Sequence, residues 1–215
     1  MENEYINTTA KYISAAMSSP FGVGNVHFRT GAKEGYVDTV AFGAYRKEVF
    51  EKAGLFDEEL ARNQDDEFNF RVIKNGFKIY LSKKIKAKYY VRGSYLKLLK
   101  QYFQYGFWKV YVNKKHKTVT SIRQLFPLFF VLYLMVQTLS LFVFKEAVYG
   151  LFILAIYFNL AIIFSLKKSK EYFYAVLFCF FILHLSYGWG YLKGIVRFLL
   201  LRLSPKKPTL RRLSN

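Results

Sequence analysis

The chain has 215 residues and carries 33 Lys+Arg against 14 Asp+Glu, a formal net charge of +19, yet 53% of it is hydrophobic and 20% aromatic. Disordered chains are poor in Phe and Tyr, so this composition excludes wholesale disorder. Cys179 is the single cysteine, which excludes a disulfide framework and a metal site built on thiolates.

Residues 1–11, MENEYINTTAK, hold no apolar stretch behind a basic flank, so no signal peptide is read there. Asn7-Thr8-Thr9 fits a glycosylation acceptor, a motif that a cytosolic segment does not use. Gly22-Val23-Gly24 lacks the strand, helix and Lys of a phosphate-binding loop. Residues 36–45 (YVDTVAFGAY) are rich in β-branched and aromatic residues and predict a strand. Residues 46–53 predict a helix with Val49, Phe50 and Ala53 on one face and Gly54 as its stop. A second helix is predicted over 64–74, capped by Asn63 and stopped by Asn75-Gly76, and residues 77–81 alternate as a strand. The first part of the chain therefore reads as an α/β layer. Residues 95–112 are amphipathic and aromatic, which predicts a helix lying in a membrane interface, with Trp108 and the tyrosines at headgroup depth.

Three uncharged apolar runs follow, 125–144, 147–166 and 172–192. About 20 apolar residues cross the hydrocarbon core as a helix, so each run is long enough. None shows the polar stripe of a water-soluble helix. The stretch 82–123 holds 12 Lys+Arg and no acid, which predicts a cytosolic side for the part before the first run. Lys145-Glu146 suits the far side, and Lys167, Lys168 and Lys170 bring the chain back. The tail, with Lys193, Arg197, Arg202, Lys206, Lys207, Arg211 and Arg212, should stay inside as well. Either the third run is re-entrant or interfacial, helped by Gly188 and Gly190, or the charge rule is broken. The basic stretch has a cheaper partner in anionic lipid, at about 1 kcal/mol per basic residue, than in nucleic acid, and no nucleic-acid partner is expected.

Chemistry concentrates in Arg62-Asn63-Gln64-Asp65-Asp66-Glu67, three consecutive acids in a basic chain. Acids in a first helical turn complement the positive helix end, which is a sufficient structural reason for them. Neighbours on a helix point about 100° apart, so the three do not form one metal cage. As a base, an Asp needs a raised pKa, which burial and like-charged neighbours supply. His27, His116 and His184 are too scattered for a metal site. His184, in an apolar run, reads as a hydrogen-bonded core residue, and Cys179 as a small buried one.

The order G-A-Y-R-x-E-V-F-x-x-A-G-L-F-D-E-x-L-x-R-N-Q-D-D-E-x-N-x-R, from Gly43 to Arg71, closely resembles the acceptor-side half of family-2 glycosyltransferases. It looks most like the membrane-anchored branch that builds succinoglycan and related exopolysaccharides. The family's acidic pair, followed six residues after its Asp by Arg, falls here on Gln64-Asp65 and Arg71. The resemblance implies Asp65 as the general base of a single inverting displacement, with Asp66 as the alternative if the pair is read one residue later. Gln101, Gln104, Tyr105 and Trp108 resemble the family's interface-helix signature, usually QxxRW. With Gln64 and Arg71 they are implied in acceptor binding, and Trp108 reads equally as an interfacial anchor.

The resemblance implies a GT-A-type half-domain over 1–93, a basic interface segment over 94–123, a transmembrane region over 124–192 with two or three helices, and a basic tail over 193–215. It also implies a nucleotide-sugar donor, a divalent metal (Mg or Mn) and a lipid-linked saccharide acceptor. The partners expected are membrane lipids, a donor-binding half and other polysaccharide-assembly proteins. The family's Asp-x-Asp metal motif occurs nowhere in the chain, so no metal ligand is assigned. The expectation is a C-terminal portion of a multi-pass membrane enzyme, cytoplasmic in its catalytic part and inactive in isolation. The rival is a non-catalytic membrane scaffold.

Overall fold

The computed structural model describes residues 2–24, 26–31 and 34–205. The chain opens with strand β1 (Glu2–Glu4), helix α1 (Thr8–Met17) and two short helices, α2 (Pro20–Val23) and α3 (His27–Thr30). Strand β2 (Gly35–Val37), helices α4 (Lys47–Ala53) and α5 (Gln64–Lys74), and strands β3 (Ile79–Leu81) and β4 (Lys88–Tyr90) follow. The long helix α6 (Tyr95–His116) leads into α7 (Leu125–Leu141), α8 (Leu151–Lys168) and α9 (Phe173–Gly194). The fold is mostly helical. Its strands form two small sheets, β1 parallel to β4 with Asn3 opposite Tyr89, and β2 antiparallel to β3 with Tyr36 opposite Tyr80.

The helix expected over 64–74 has those limits, and the one expected over 46–53 begins one residue later. The strand expected over 36–45 keeps only its first residues, because a buried side chain captures the rest. Asn69, fully buried on α5, donates to Thr39 Oγ1 at 3.0 Å and to the Val40 carbonyl at 2.7 Å, and accepts from Tyr45 Oη at 2.7 Å. The Val40 carbonyl thereby finds its partner in a side chain instead of a sheet ladder. Around Asn69 sits a small core of Val40, Val49, Ala53, Phe68, Val72 and Ile79.

A larger core joins the first residues to the last. Ala10, Ile13, Ala16 and Met17 repeat at helical spacing and turn one face of α1 onto Leu98 and Tyr102 of α6 and Val176, Cys179, Phe180 and Leu183 of α9. Asn7 caps α1, its Oδ1 accepting from Ala10 N at 2.8 Å, which gives the NTT sequence a structural use.

Three segments are long and apolar enough to cross a membrane, Ile122–Leu141, Lys145–Lys168 and Phe173–Leu200. The third is not broken at its glycines. It runs as one helix through Gly188 and Gly190 and adds a π-helical turn, Ile195–Leu200. The glycines serve close packing instead. A Cβ on Gly190 would lie 2.0 Å from Phe103 O, one on Gly106 2.0 Å from Tyr187 O, and one on Gly188 2.1 Å from Pro127 O. Backbones in contact at small residues are the usual seam between membrane helices. Helix α6 is therefore docked lengthwise on α9. Half of the α9 window is buried in protein, against 6% for α8, so α9 is the hub and α8 turns its side chains outward. Of the basic tail, Lys193, Arg197 and Arg202 fall within the described residues, and Lys206, Lys207, Arg211 and Arg212 outside them.

Candidate active site

The acidic turn is held by one face of α6. Asn63 has a left-handed backbone, φ 64°, and makes no side-chain cap to α5. Its Nδ2 instead donates to the Tyr105 carbonyl at 2.9 Å, while Arg62 Nε donates to Gln104 Oε1 at 2.9 Å. Further along α6, Lys109 pairs with Asp66, His116 Nε2 meets Glu67 Oε1 at 2.9 Å, and Tyr111 Oη donates to Glu59 at 2.7 Å. Lys115 reaches Asp57 at 2.5 Å.

These ties sort the three acids. Asp66 is neutralised by Lys109, which is buried. Glu67 is fully buried between Arg71 and His116. Asp65 is left without a hydrogen-bond or ion-pair partner among the described residues. Burial of its carboxyl beside the protein wall, and then the Asp66 charge, raise its pKa above the ordinary carboxylate value. Nearby, burial and then the Asp65 charge push the Tyr45 hydroxyl up to about 12.

Gln64, Asp65 and Asp66 open onto a cavity of about 1280 Å³. Its polar lining includes Arg29, Arg62, Lys109 and Arg123, with Tyr102, Tyr105 and Tyr187. Its apolar lining includes Phe126, Phe129 and Phe130 of α7 with Ile153 and Leu160 of α8, two helices long and apolar enough to cross a membrane. His184 also lines the cavity, its Nδ1 meeting Tyr157 Oη at 2.9 Å and its Nε2 the Phe21 carbonyl at 2.9 Å, the hydrogen-bonded core role expected for it. Arg123, paired with Asp38 at 2.7 Å, also lines a second cavity of about 390 Å³ with His27, Tyr36 and Val37.

Of the residues expected in the site, Gln64, Asp65, Asp66 and Tyr105 are brought together at the large cavity. Four are not. Arg71 turns away from it to chelate Glu67, at 2.7 and 2.9 Å, and to donate to the Ala53 and Leu55 carbonyls. Gln101 is buried behind the tyrosines, donating to Tyr89 Oη at 3.0 Å and Tyr105 Oη at 2.8 Å. Gln104 accepts from Arg62 on the outer side of α6. Trp108 packs against Phe107, Tyr111 and Phe198. Sequence reasoning missed Arg29, Arg62, Lys109 and Arg123. Lys109 had a signal, since Tyr102, Tyr105 and Lys109 recur at intervals of three and four along one helical face. Arg29 had none.

The residues present do not fit a divalent metal. Two of the three acids on α5 are already paired, and no group of three or more His, Cys, Asp or Glu placed to hold a metal occurs among the described residues.

The chain matches no protein-family profile, and no solved structure matches it. Two curated proteins do. Over 197 residues, 89% of this chain, it is 32% identical to the dolichyl N-acetyl-alpha-D-glucosaminyl phosphate 3-beta-D-2,3-diacetamido-2,3-dideoxy-beta-D-glucuronosyltransferase of Methanococcus voltae, covering 57% of that protein. Over 128 residues, 60% of this chain, it is 31% identical to the succinoglycan biosynthesis protein ExoA of Rhizobium meliloti (strain 1021), covering 39% of it. The chain thus spans about half the length of the curated relatives it matches. These relatives support the family-2-like, exopolysaccharide-type glycosyltransferase resemblance.

Proposed function

We propose that this glycosyltransferase relative supplies the acceptor side of sugar transfer at a membrane, with Asp65 as general base and a lipid-linked saccharide as acceptor. The observation that carries the proposal is the position of Asp65. An uncompensated carboxylate of raised pKa opens onto a cavity that is also lined by apolar residues of two helices long and apolar enough to cross a membrane. A saccharide head could meet the acid while its lipid lies along α7 and α8. The name of the Methanococcus relative specifies a dolichyl phosphate sugar as acceptor, which is the same chemical class.

In this reading the acceptor hydroxyl gives its proton to Asp65 as its oxygen attacks the anomeric carbon of a nucleotide-sugar. The sugar–phosphate bond breaks, and the nucleoside diphosphate leaves with the electron pair. Asp65 is preferred to Asp66 because Lys109 already occupies the latter's carboxylate as an ion pair, while Asp65 has no such partner among the described residues. Lys109 in turn fixes the backbone on which Asp65 stands. The elements over 34–91 take the part of the acceptor-side half of a GT-A-type domain, and the donor diphosphate is met by protein outside the elements described here. The basic stretch over 82–123 argues for a cytoplasmic face.

The test is Asp65→Asn in the enzyme in its own membranes, following sugar incorporation into lipid-linked saccharide. General bases contribute roughly 10²–10⁴-fold. A loss of about hundredfold or more at unchanged membrane level is expected. Undiminished transfer would overturn the assignment and favour a scaffold.

A further inference from the structure

The cations around the large cavity are not all matched. Lys109 has Asp66, Arg123 has the half-exposed Asp38, and Arg62 has the neutral amide of Gln104. Arg29 has no carboxylate partner among the described residues. Its guanidinium lies 5.0 Å from the ring of Tyr89, with Tyr102 and Tyr105 alongside. Ring faces attract a guanidinium but supply no formal negative charge to neutralise it. A partly buried cation of this kind calls for an anion. The same short helix carries two more such groups, since His27 Nδ1 and Thr30 Oγ1 are buried without a hydrogen-bond partner among the described residues. His27 faces the smaller cavity, where Arg123 is also exposed.

Resting on the function proposed above, we infer that Arg29 and Arg123, which line the same cavity, bind the phosphate of the acceptor's lipid link. Guanidinium groups suit phosphate, offering several donors in a planar fork. A phosphate here would compensate Arg29 and compete with Asp38 for Arg123. The apolar continuation decides the source. Phe126, Phe129 and Ile153 lie in the same cavity as both arginines, which suits a phosphate carrying a long hydrocarbon chain and gives a nucleotide no use for that wall. One site thereby fixes the acceptor twice, by its phosphate at Arg29 and by its sugar hydroxyl at Asp65.

The test uses the full chain in lipid nanodiscs, with a long-chain polyprenyl phosphate, the matching polyprenol and UDP as probes, read by native mass spectrometry. Saturable binding of the phosphate, at least about tenfold tighter than the polyprenol, is expected. Arg29→Gln should weaken phosphate binding by about tenfold and leave the polyprenol unchanged, with Arg29→Lys in between. Arg123→Gln should weaken it as well, so a misfolded Arg29→Gln still leaves two variants that decide. Equal binding of phosphate and polyprenol, or wild-type affinity in all three variants, would overturn the inference. So would displacement of the lipid by UDP with the same dependence on Arg29, which would assign the arginines to the donor. The assay reads lipid binding and not transfer. Its failure leaves Asp65 standing as the base, and full activity of Asp65→Asn leaves the phosphate site standing.

Discussion

Arg71 offers a sharp test of whether its family-like spacing from Asp65 reflects catalysis or architecture. Its guanidinium grips Glu67 through two hydrogen bonds of 2.7 and 2.9 Å, and Glu67 has no exposed surface. Arg71→Met removes the main counter-charge and leaves Glu67 with His116 alone, at 2.9 Å. Breaking a buried ion pair by removing one partner costs about 3–5 kcal/mol, since the remaining charge stays desolvated. The freed Ala53 and Leu55 carbonyls are nearer to water and add less. For a chain of this size the loss lowers the unfolding temperature by about 10 °C. Glu67→Met/Arg71→Met should be more stable than Arg71→Met, because two apolar residues of similar volume are less costly than one stranded charge. Thermal unfolding in nanodiscs by intrinsic fluorescence measures both, and transfer normalised to folded protein should change little below the transition. Wild-type stability with a large loss of transfer would refute the reasoning and put Arg71 on the substrate.

Two further outcomes follow from the same contacts. Folding raises the Asp65 pKa, so the folded state prefers the protonated acid and the charged form is penalised at neutral pH. Asp65→Asn should therefore unfold at a higher temperature than wild type at pH 7. The difference should shrink as pH falls through the raised pKa towards the ordinary carboxylate range, and a difference that grows on acidification would contradict the sign. Gly106→Ala and Gly190→Ala each put a Cβ 2.0 Å from a backbone oxygen of the facing helix, so α6 and α9 must separate. Each should cost about 1–3 kcal/mol, and the double variant less than twice that because one separation relieves both clashes. Unfolding of all three in nanodiscs tests this, and strictly additive losses would argue against a shared seam.

What could be read in the sequence was whatever depends on local pattern. The apolar runs, the α5 limits and the acidic turn follow from composition, stop signals and adjacency over a few residues. What could not be read depends on one side chain meeting a distant backbone. Residues 36–45 have strand composition, yet Asn69, some thirty positions later, decides their path. Arg71 sits at the spacing the family pattern asks for, yet its guanidinium ends on Glu67. The sequence around Asn7 reads as a glycosylation motif, and only the docking of α1 on α9 reveals a helix cap. Gly188 and Gly190 look like breakers because a glycine's cost in a helix is local, while its benefit here lies in the backbone it admits.

Helix α6 connects these observations. One of its faces meets the 57–67 segment through Tyr105, Lys109, Tyr111, Lys115 and His116, and so carries the turn that bears Asp65. Another face is fixed on α9 at Gly106, Gly190 and Gly194, where the backbones approach too closely for any side chain. Packed interfaces of this kind are not continuously deformable, so displacement of α9 is passed to α6 and from there to the acid. The polar and apolar walls of the cavity are consequently held in one frame. For a substrate whose reactive hydroxyl is joined to a lipid, that frame matters more than any single contact. A misplacement of about 1 Å at the reacting group can cost about a hundredfold in rate, and a loop on a flexible tether could not hold its distance from the membrane to that tolerance. Docking α6 on a membrane-crossing helix does so with a glycine seam.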